Sequence, residues 1–528
     1  MPTRIEIYDT TLRDGAQGEG ISFSGVGKIL VTKRLDEFGV DYIEGGYAAS
    51  NPKDMEYFHA IRKEKLKHAK VAAFGSTRRA NVKAADDVGC QALIEAGTPV
   101  CTIFGKSWRL HVKEVLRTSE DENRAMIADT VAFLKKHGKE VIYDAEHFFD
   151  GYRDSREHAL STLRAAFEAG ADRLVLCDTN GGRLPEEIAA IVADVQKEYP
   201  SAKIGIHAHN DSELGVANSL AAIPAGAMHV QGTINGFGER VGNANLISII
   251  PNLVLKMGYA CMQEDSLRQL KPVAQFVYEM ANVRANTKQA FVGESAFAHK
   301  AGMHVDGVRK LASSFEHINP ESVGNQRRIL ISELSGASNI FLKAVEMGLD
   351  LDKNSPEVRQ ILHELEGLEK KGYAFEAAEA SFKLLIQKVL KKHKPFFELQ
   401  GFRVMVEKRR KGEGSMAEAT VKLSVNGEVE STVGEGDGPV DALNEALRKA
   451  LTRFYPVIKD VSLVDYQVRI LDPEEGTGAK TRVLIESTDG QQSWGTVGVS
   501  PNLIEASWEA LVDSVEYKLF LEEQKKSG

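Results

Sequence analysis

Between residues 4 and about 260 the chain alternates short β-branched or apolar runs with stretches whose apolar positions recur at helical spacing. This is the rhythm of βα units around a parallel sheet. Strands are predicted over residues 5–9, 42–46, 71–75, 100–105, 141–146, 173–178, 203–207 and 229–233, with helices such as 26–38, 123–137, 156–169 and 186–198 between them. Eight such units in ~250 residues match the size of a (β/α)₈ TIM barrel, although an open doubly wound sheet has the same local signature. The polar residues decide between the two. Arg13 and Asp14, Glu44, Lys106, Glu146, Asp178 to Asn180, His207, His209 and Glu239 to Asn243 all fall at the C-terminal ends of the predicted strands. That is the rim where a barrel assembles its active site.

Past residue 265 the pattern turns helical through Leu390, punctuated by Pro272, Pro320 and Pro356, with a turn-rich interval over 313–326. From Phe396 it changes again: 417–425, 464–471 and 480–487 alternate like strands, while 440–454 and 504–520 read as helices. The division expected is an α/β barrel over 1–265, a helical linker with subdomains over 266–394, and an α+β domain over 395–528. A length of 528 residues with 43% hydrophobic content suits two or three cores. The net charge of −9 comes with no large Lys/Arg cluster, which argues against a nucleic-acid partner. The chain opens without an apolar leader and has no charge-free stretch of ~18 residues, so neither secretion nor a membrane span is expected. Four cysteines without a C-x-x-C pair fit a reducing cytoplasm.

His207 and His209 end an apolar strand two residues apart, so both imidazoles project from one face and can reach one ion. Taken alone the pair is ambiguous, because two strand-end histidines can equally be packed and hydrogen-bonded. Asp14 follows the first strand, and in a closed barrel the first and seventh strands flank the eighth. A further oxygen can come from Asn243, in the loop Gly238-Glu239-Arg240-Val241-Gly242-Asn243. Two imidazoles, a carboxylate and an amide carbonyl leave positions open for a bidentate substrate on zinc, manganese or magnesium. The permanently charged Arg13 beside Asp14 can stabilise developing negative charge.

Asp9-Thr10-Thr11-Leu12-Arg13-Asp14-Gly15, the His207/His209 pair and the Gly238 to Asn243 loop together resemble the isopropylmalate, homocitrate and citramalate synthase family, over essentially the whole chain. The resemblance implies a metal at Asp14, His207, His209 and Asn243. It also implies condensation of acetyl-CoA, as cosubstrate, with a chelating 2-oxo acid in branched-chain amino-acid biosynthesis. Thr179, in Asp178-Thr179-Asn180-Gly181, resembles the residue that holds the substrate carboxylate, with Arg13 and Asp144 also at the substrate. The stretch Phe297 to Gly307 resembles the segment that supplies the base, which implies His304 with Asp306, joined by Glu146 from the fifth strand. Segments 144–152 and 103–108 look most like the citramalate branch, which implies pyruvate as acceptor and (R)-citramalate as product. Isopropylmalate synthase, using 2-oxoisovalerate, is the second reading and homocitrate synthase the third.

Phe315-Glu316-His317-Ile318 departs from the family's usual Tyr-Glu-His-Ile, and Ala337 stands where an arginine is usual. Gly434, Gly436, Gly438 and Pro439 read as a glycine-rich loop feeding a helix, without the Lys-Ser/Thr of a Walker loop. That loop and residues 494–499 look like the family's C-terminal regulatory domain, which implies a homodimer and a feedback amino acid, isoleucine or leucine. Two other classes remain open. A barrel lyase or aldolase would run the chemistry backwards, and an inactive amino-acid sensor would not run it at all.

Overall fold

The computed structural model describes residues 3–50, 52–262, 264–299, 302–329, 355–408, 414–471 and 473–527. Eight parallel strands close into a barrel: β1 (Glu6–Asp9), β2 (Tyr42–Tyr47), β3 (Lys70–Ser76), β4 (Val100–Lys106), β5 (Glu140–Glu146), β6 (Arg173–Asp178), β7 (Ile204–Ala208) and β8 (His229–Gly232). Closure is direct, since β1 pairs with both β2 and β8, with Glu6 opposite His229 and Asp9 opposite Gly232. The open doubly wound sheet is thereby excluded, and each strand lies within two residues of where the hydrophobic pattern puts it.

Helix boundaries follow from capping chemistry. Ser24 accepts from the backbone N–H of Gly27 to start the helix Gly25–Phe38, and Gly39 ends it in the left-handed region at φ 102°. Ser119 and Ser155 cap the helices Glu120–Lys136 and Arg156–Glu168 in the same way, and Pro185 opens Pro185–Glu198.

Alternation along each strand builds two cores. Outward-facing Ile7, Ile43, Ile103 and Leu174 pack against helix residues such as Leu35, Val131 and Leu163. Tyr8, Tyr42, Ala72, Val100, Ile142, Val175 and Cys177 fill the interior. At the N-terminal mouth, five strand-opening residues form an ion cluster. Arg173 donates to both oxygens of Glu6 at 2.6 and 2.8 Å, to Glu140 at 2.5 Å and to the Tyr42 hydroxyl at 2.6 Å, while His229 Nδ1 lies 3.4 Å from Glu6.

Backbone contacts divide the chain into two compact units. The first is Met1–Phe297 with His317–Arg327, and the second is Ala298–Glu316 with Arg328–Gly528. The first unit runs past residue 265, because the amphipathic helix Leu270–Met280 packs on Gly25–Phe38.

The second unit holds helices Gly302–Lys310, Pro356–Lys371 and Glu379–Val389, as the helical pattern of that interval implies. That pattern misses a short parallel pair, β9 (Ala298–His299) with β10 (Arg328–Ile329). Two antiparallel sheets follow: β11 (Glu398–Glu407), β12 (Met416–Val425) and β13 (Glu428–Gly436), then β14 (Ser462–Ile470), β15 (Thr481–Thr488) and β16 (Ser493–Ser500). The helices Pro439–Thr452 and Leu503–Ser527 pack on them. Among the described residues no helix is long and apolar enough to cross a membrane.

The expected glycine-rich loop is corrected here. Gly434 and Gly436 belong to β13, and only Gly438 and Pro439 form the turn and helix start. The strand lies so close to the following helix that a Cβ on Gly434 would sit 2.4 Å from the Ala446 nitrogen, and one on Gly436 2.5 Å from Asp441. The glycines therefore permit packing, where a loop would need them for turning. Ala337 falls outside the described residues.

Candidate active site and metal-ligand cluster

Strand pairing delivers the expected cluster. His207 sits near the end of β7 and His209 just beyond it, β8 lies next to β7, and β1 closes the other side of β8. Asp14 follows the turn after β1 and is the N-cap of the 3-10 helix Gly15–Gln17, where a Cβ on Gly15 would lie 3.3 Å from Phe237 and 3.4 Å from Thr233. The ligand-capable atoms of Asp14, His207 and His209 lie within 4.8 Å of one another, all three residues being buried. Nε2 of His207 is 3.3 Å, and Nε2 of His209 3.7 Å, from the same Asp14 oxygen.

Asn243 joins them through the backbone, pairing with His209 in an isolated antiparallel bridge. The loop that carries it requires glycine. Gly242 has φ 102°, and a Cβ there would meet the Gly236 carbonyl oxygen at 1.9 Å. The Asn243 amide nitrogen donates to the Phe237 carbonyl at 3.2 Å, whereas its Oδ1 is buried with no partner. An orphaned carbonyl oxygen beside two imidazoles and a carboxylate is the donor set that a hard or borderline divalent cation takes, so these residues fit a metal.

The electrostatics agree with that use. Burial alone would raise the Asp14 carboxyl, but the charge of Arg13 and the contact with His207 hold it well below the usual carboxylate range. Burial, with His207 alongside, pushes His209 down to about 3. Burial also acts to lower His207, but its hydrogen bond to Asp14 and the charges of Asp14 and Asp144 together raise it.

Arg13 is held on three sides. Its Nε donates to Glu44 at 2.6 Å, one terminal nitrogen lies 3.3 Å from Asp14, and its guanidinium stacks 3.7 Å over the Phe74 ring. Glu44 was noted at the rim but given no role, yet it is fully buried and also accepts from the hydroxyls of Tyr8 and Thr10. A carboxylate this buried needs such a donor set, and no motif in the sequence marks it.

A cavity of about 270 Å³ opens above the cluster, lined by Arg13, Asp144, Glu146, Thr179, His207 and His209, with the stacked rings of Phe74 and Phe104 on one wall. Burial lifts Asp144 to about 7 against the pull of His207. Glu146 is paired with Lys106. Thr179 accepts at its hydroxyl from the His147 N–H at 2.8 Å, and at its carbonyl from Arg240 at 2.8 Å. Gln231, which no motif marks as a site residue, bonds His207 at 2.7 Å and Asp144 at 3.0 Å. Its signal was a polar residue two positions after His229 on the same face of an otherwise apolar strand.

The expected base group is drawn from both units, with Glu146 on the barrel of the first. His304 and Asp306 lie on the helix Gly302–Lys310 of the second unit, where His304 is exposed with its ring 5.3 Å from Phe315, and Asp306 pairs with Lys310 at 2.8 Å. Phe315 fills the space above Gly307, where a Cβ would lie 2.1 Å from its ring.

Residues 4–277 match the family model described as HMGL-like, 291–372 the homocitrate synthase post-HMGL domain-like model, and 376–519 the LeuA allosteric (dimerisation) domain. The chain is 53% identical to the (R)-citramalate synthase of Aquifex aeolicus, over 99% of each chain. Against the (R)-citramalate synthase of Geobacter sulfurreducens the identity is again 53%, over 98% of each. The 2-isopropylmalate synthase of Methanocaldococcus jannaschii is 31% identical over 98% of this chain and 95% of its own length.

Proposed function

Because this chain belongs to the HMGL-like family that includes the (R)-citramalate synthases, we propose that it condenses acetyl-CoA with pyruvate and, after thioester hydrolysis, releases (R)-citramalate and CoA. The observation that carries this reading is the gap in full-length identity, 53% to citramalate synthases against 31% to an isopropylmalate synthase. The geometry supplies a site able to do the chemistry.

Asp14, His207, His209 and Asn243 are the residues that would hold a divalent cation, zinc, manganese or magnesium. When bound there, the cation supplies Lewis-acid polarisation of a chelating 2-oxo acid. Arg13, fixed by Glu44 and Phe74, presents a permanent positive charge where the keto oxygen becomes an alkoxide, a contribution of roughly 10²- to 10³-fold in rate. Thr179 and Asp144 line the same cavity and orient the acceptor. Acetyl-CoA must lose a methyl proton to become a carbon nucleophile. His304, with Asp306 beside it on one helix and Glu146 at the rim, is assigned to take it, worth about 10²- to 10⁴-fold. A second cavity of about 540 Å³ shares Arg13, Gln17 and Tyr47 with the first, is lined also by Phe23, Lys53, Asp54 and Glu56, and is assigned to the arm of CoA.

We assign the barrel over 1–265 to catalysis, 266–394 to a linker, and 395–528 to regulation and dimerisation. The last assignment draws support from the match to a dimerisation domain and from exposed apolar side chains on β14, Val464, Val468 and Ile470 among them. A homodimer acting in the cytoplasm and inhibited by isoleucine, or secondarily by leucine, is the expected assembly. Gly438 and Pro439 would shape the turn of its regulatory domain, with Gly434 and Gly436 bringing β13 onto the helix.

The test is free-thiol release from acetyl-CoA with a panel of 2-oxo acids, where pyruvate should give the fastest release. CoA release without any acceptor would contradict the synthase reading, and release with 2-oxoisovalerate alone would replace citramalate by isopropylmalate.

A further inference from the structure

We infer that Gln231 is a positioning residue that presets His207 as a ligand, by fixing which ring nitrogen keeps its proton. The inference rests on the metal reading above. Gln231 lies fully buried on β8, directly opposite His207 in the β7–β8 register, and spans from that imidazole to Asp144 on β5.

The direction of its amide is set by its two partners. Gln231 Nε2 donates to Asp144 Oδ1 at 3.0 Å, which turns the amide NH₂ toward β5. The carbonyl Oε1 is therefore left facing His207 Nδ1 at 2.7 Å, and a carbonyl can only accept. Nδ1 thus keeps its proton, and Nε2, the nitrogen turned toward Asp14, is the one left to bind a cation.

His209 makes the contrast. There Arg240, anchored on Asp211 at 2.7 and 2.9 Å, donates to Nδ1 at 2.9 Å, so no acceptor holds a proton on that nitrogen. Of the two imidazoles only His207 is prepared in advance, and Gln231 is what prepares it.

The experiment titrates full-length protein with manganese(II), followed by calorimetry and by the loss of the free-ion paramagnetic resonance signal. Gln231→Met keeps the side-chain shape without its polar ends and should weaken manganese binding roughly 10- to 100-fold, the usual consequence of losing a ligand's supporting partner. Gln231→Glu still accepts from Nδ1–H and should restore affinity to within a few-fold of the parent. Should Gln231→Met fail to fold, nitrogen-15 spectra of histidine-labelled parent protein decide instead, with Nδ1 of His207 expected in the N–H form. Manganese binding unchanged in Gln231→Met, equal weakness in Gln231→Glu, or a His207 proton on Nε2 alone would each overturn the inference. A parent protein that binds no manganese would overturn the metal reading itself, and this inference with it.

Discussion

The two mouths of the barrel are built from the same kinds of side chain and differ in how those side chains are arranged. At the N-terminal mouth Arg173 matches its donors to Glu6, Glu140 and Tyr42, and His229 is walled by the rings of Tyr8 and Tyr42 at 5.4 and 5.8 Å. At the C-terminal mouth two imidazoles converge on one Asp14 oxygen, the Asn243 carbonyl has no partner, and a cavity lies open above them. Each mouth holds one buried atom without a partner, His229 Nε2 at one and Asn243 Oδ1 at the other. Ion pairs spread across strand ends hold the strands together, whereas ligand-capable atoms converging under an open cavity can take up something not in the chain, and that difference assigns structure to one mouth and chemistry to the other.

The comparison breaks most sharply at His207. His207→Ala is expected to abolish turnover and metal retention together, read by thiol release and by elemental analysis of the purified protein, and retention of either would erase the distinction between the mouths. Arg13→Ala should keep the fold and bound metal but lower kcat about 10²- to 10³-fold, because it removes a charge-stabilising donor alone. At the opposite mouth Arg173→Met should do the reverse. Leaving the partly buried Glu6 with Lys203 and His229, and Glu140 with Lys70, should cost about 1–3 kcal/mol of stability in denaturant unfolding, with kcat of the folded fraction unchanged.

The smallest expected effect is on acid stability. Burial acts to raise Glu6, but hydrogen bonds from Arg173 and His229 hold it well below the usual carboxylate range. Its folded pKa is then lower than the unfolded value of about 4.3, so the stabilisation is complete above that value and is lost as pH falls toward the folded one. Melting temperature should decline below about pH 5 in the parent and less steeply in Arg173→Met, which keeps only the part of the linkage that His229 supplies. Equal slopes by scanning calorimetry would mean that the N-terminal cluster contributes no such term.

What the sequence made legible follows from what is periodic or local. The barrel strands are continuous apolar runs, so the fold could be placed from spacing, while Asp14, His207 and His209 at their ends became a ligand set only with the family resemblance beside the spacing. Glu44 and Gln231 were not legible as site residues, because their importance lies in partners on other strands: Tyr8, Thr10 and Arg13 for one, His207 and Asp144 for the other. β11 escaped notice because its side chains are mostly exposed and a register shift between Leu399 and Gly401 breaks its alternation. β13 was hidden by glycines that read as a turn until the helix they accommodate is seen packed against them. Phe315, a departure visible in the sequence, proves to seat against Gly307 and His304, which gives the substitution a packing partner on the helix that bears the assigned base.

X-ray absorption on the manganese- or zinc-loaded enzyme tests the account most directly, because it reports the atoms around the ion. The account predicts one ion per chain whose shell contains two imidazole nitrogens and carboxylate oxygen, with the imidazole signal halved or the ion lost in His207→Ala. A shell of oxygen alone, or one unaltered by that substitution, would contradict it.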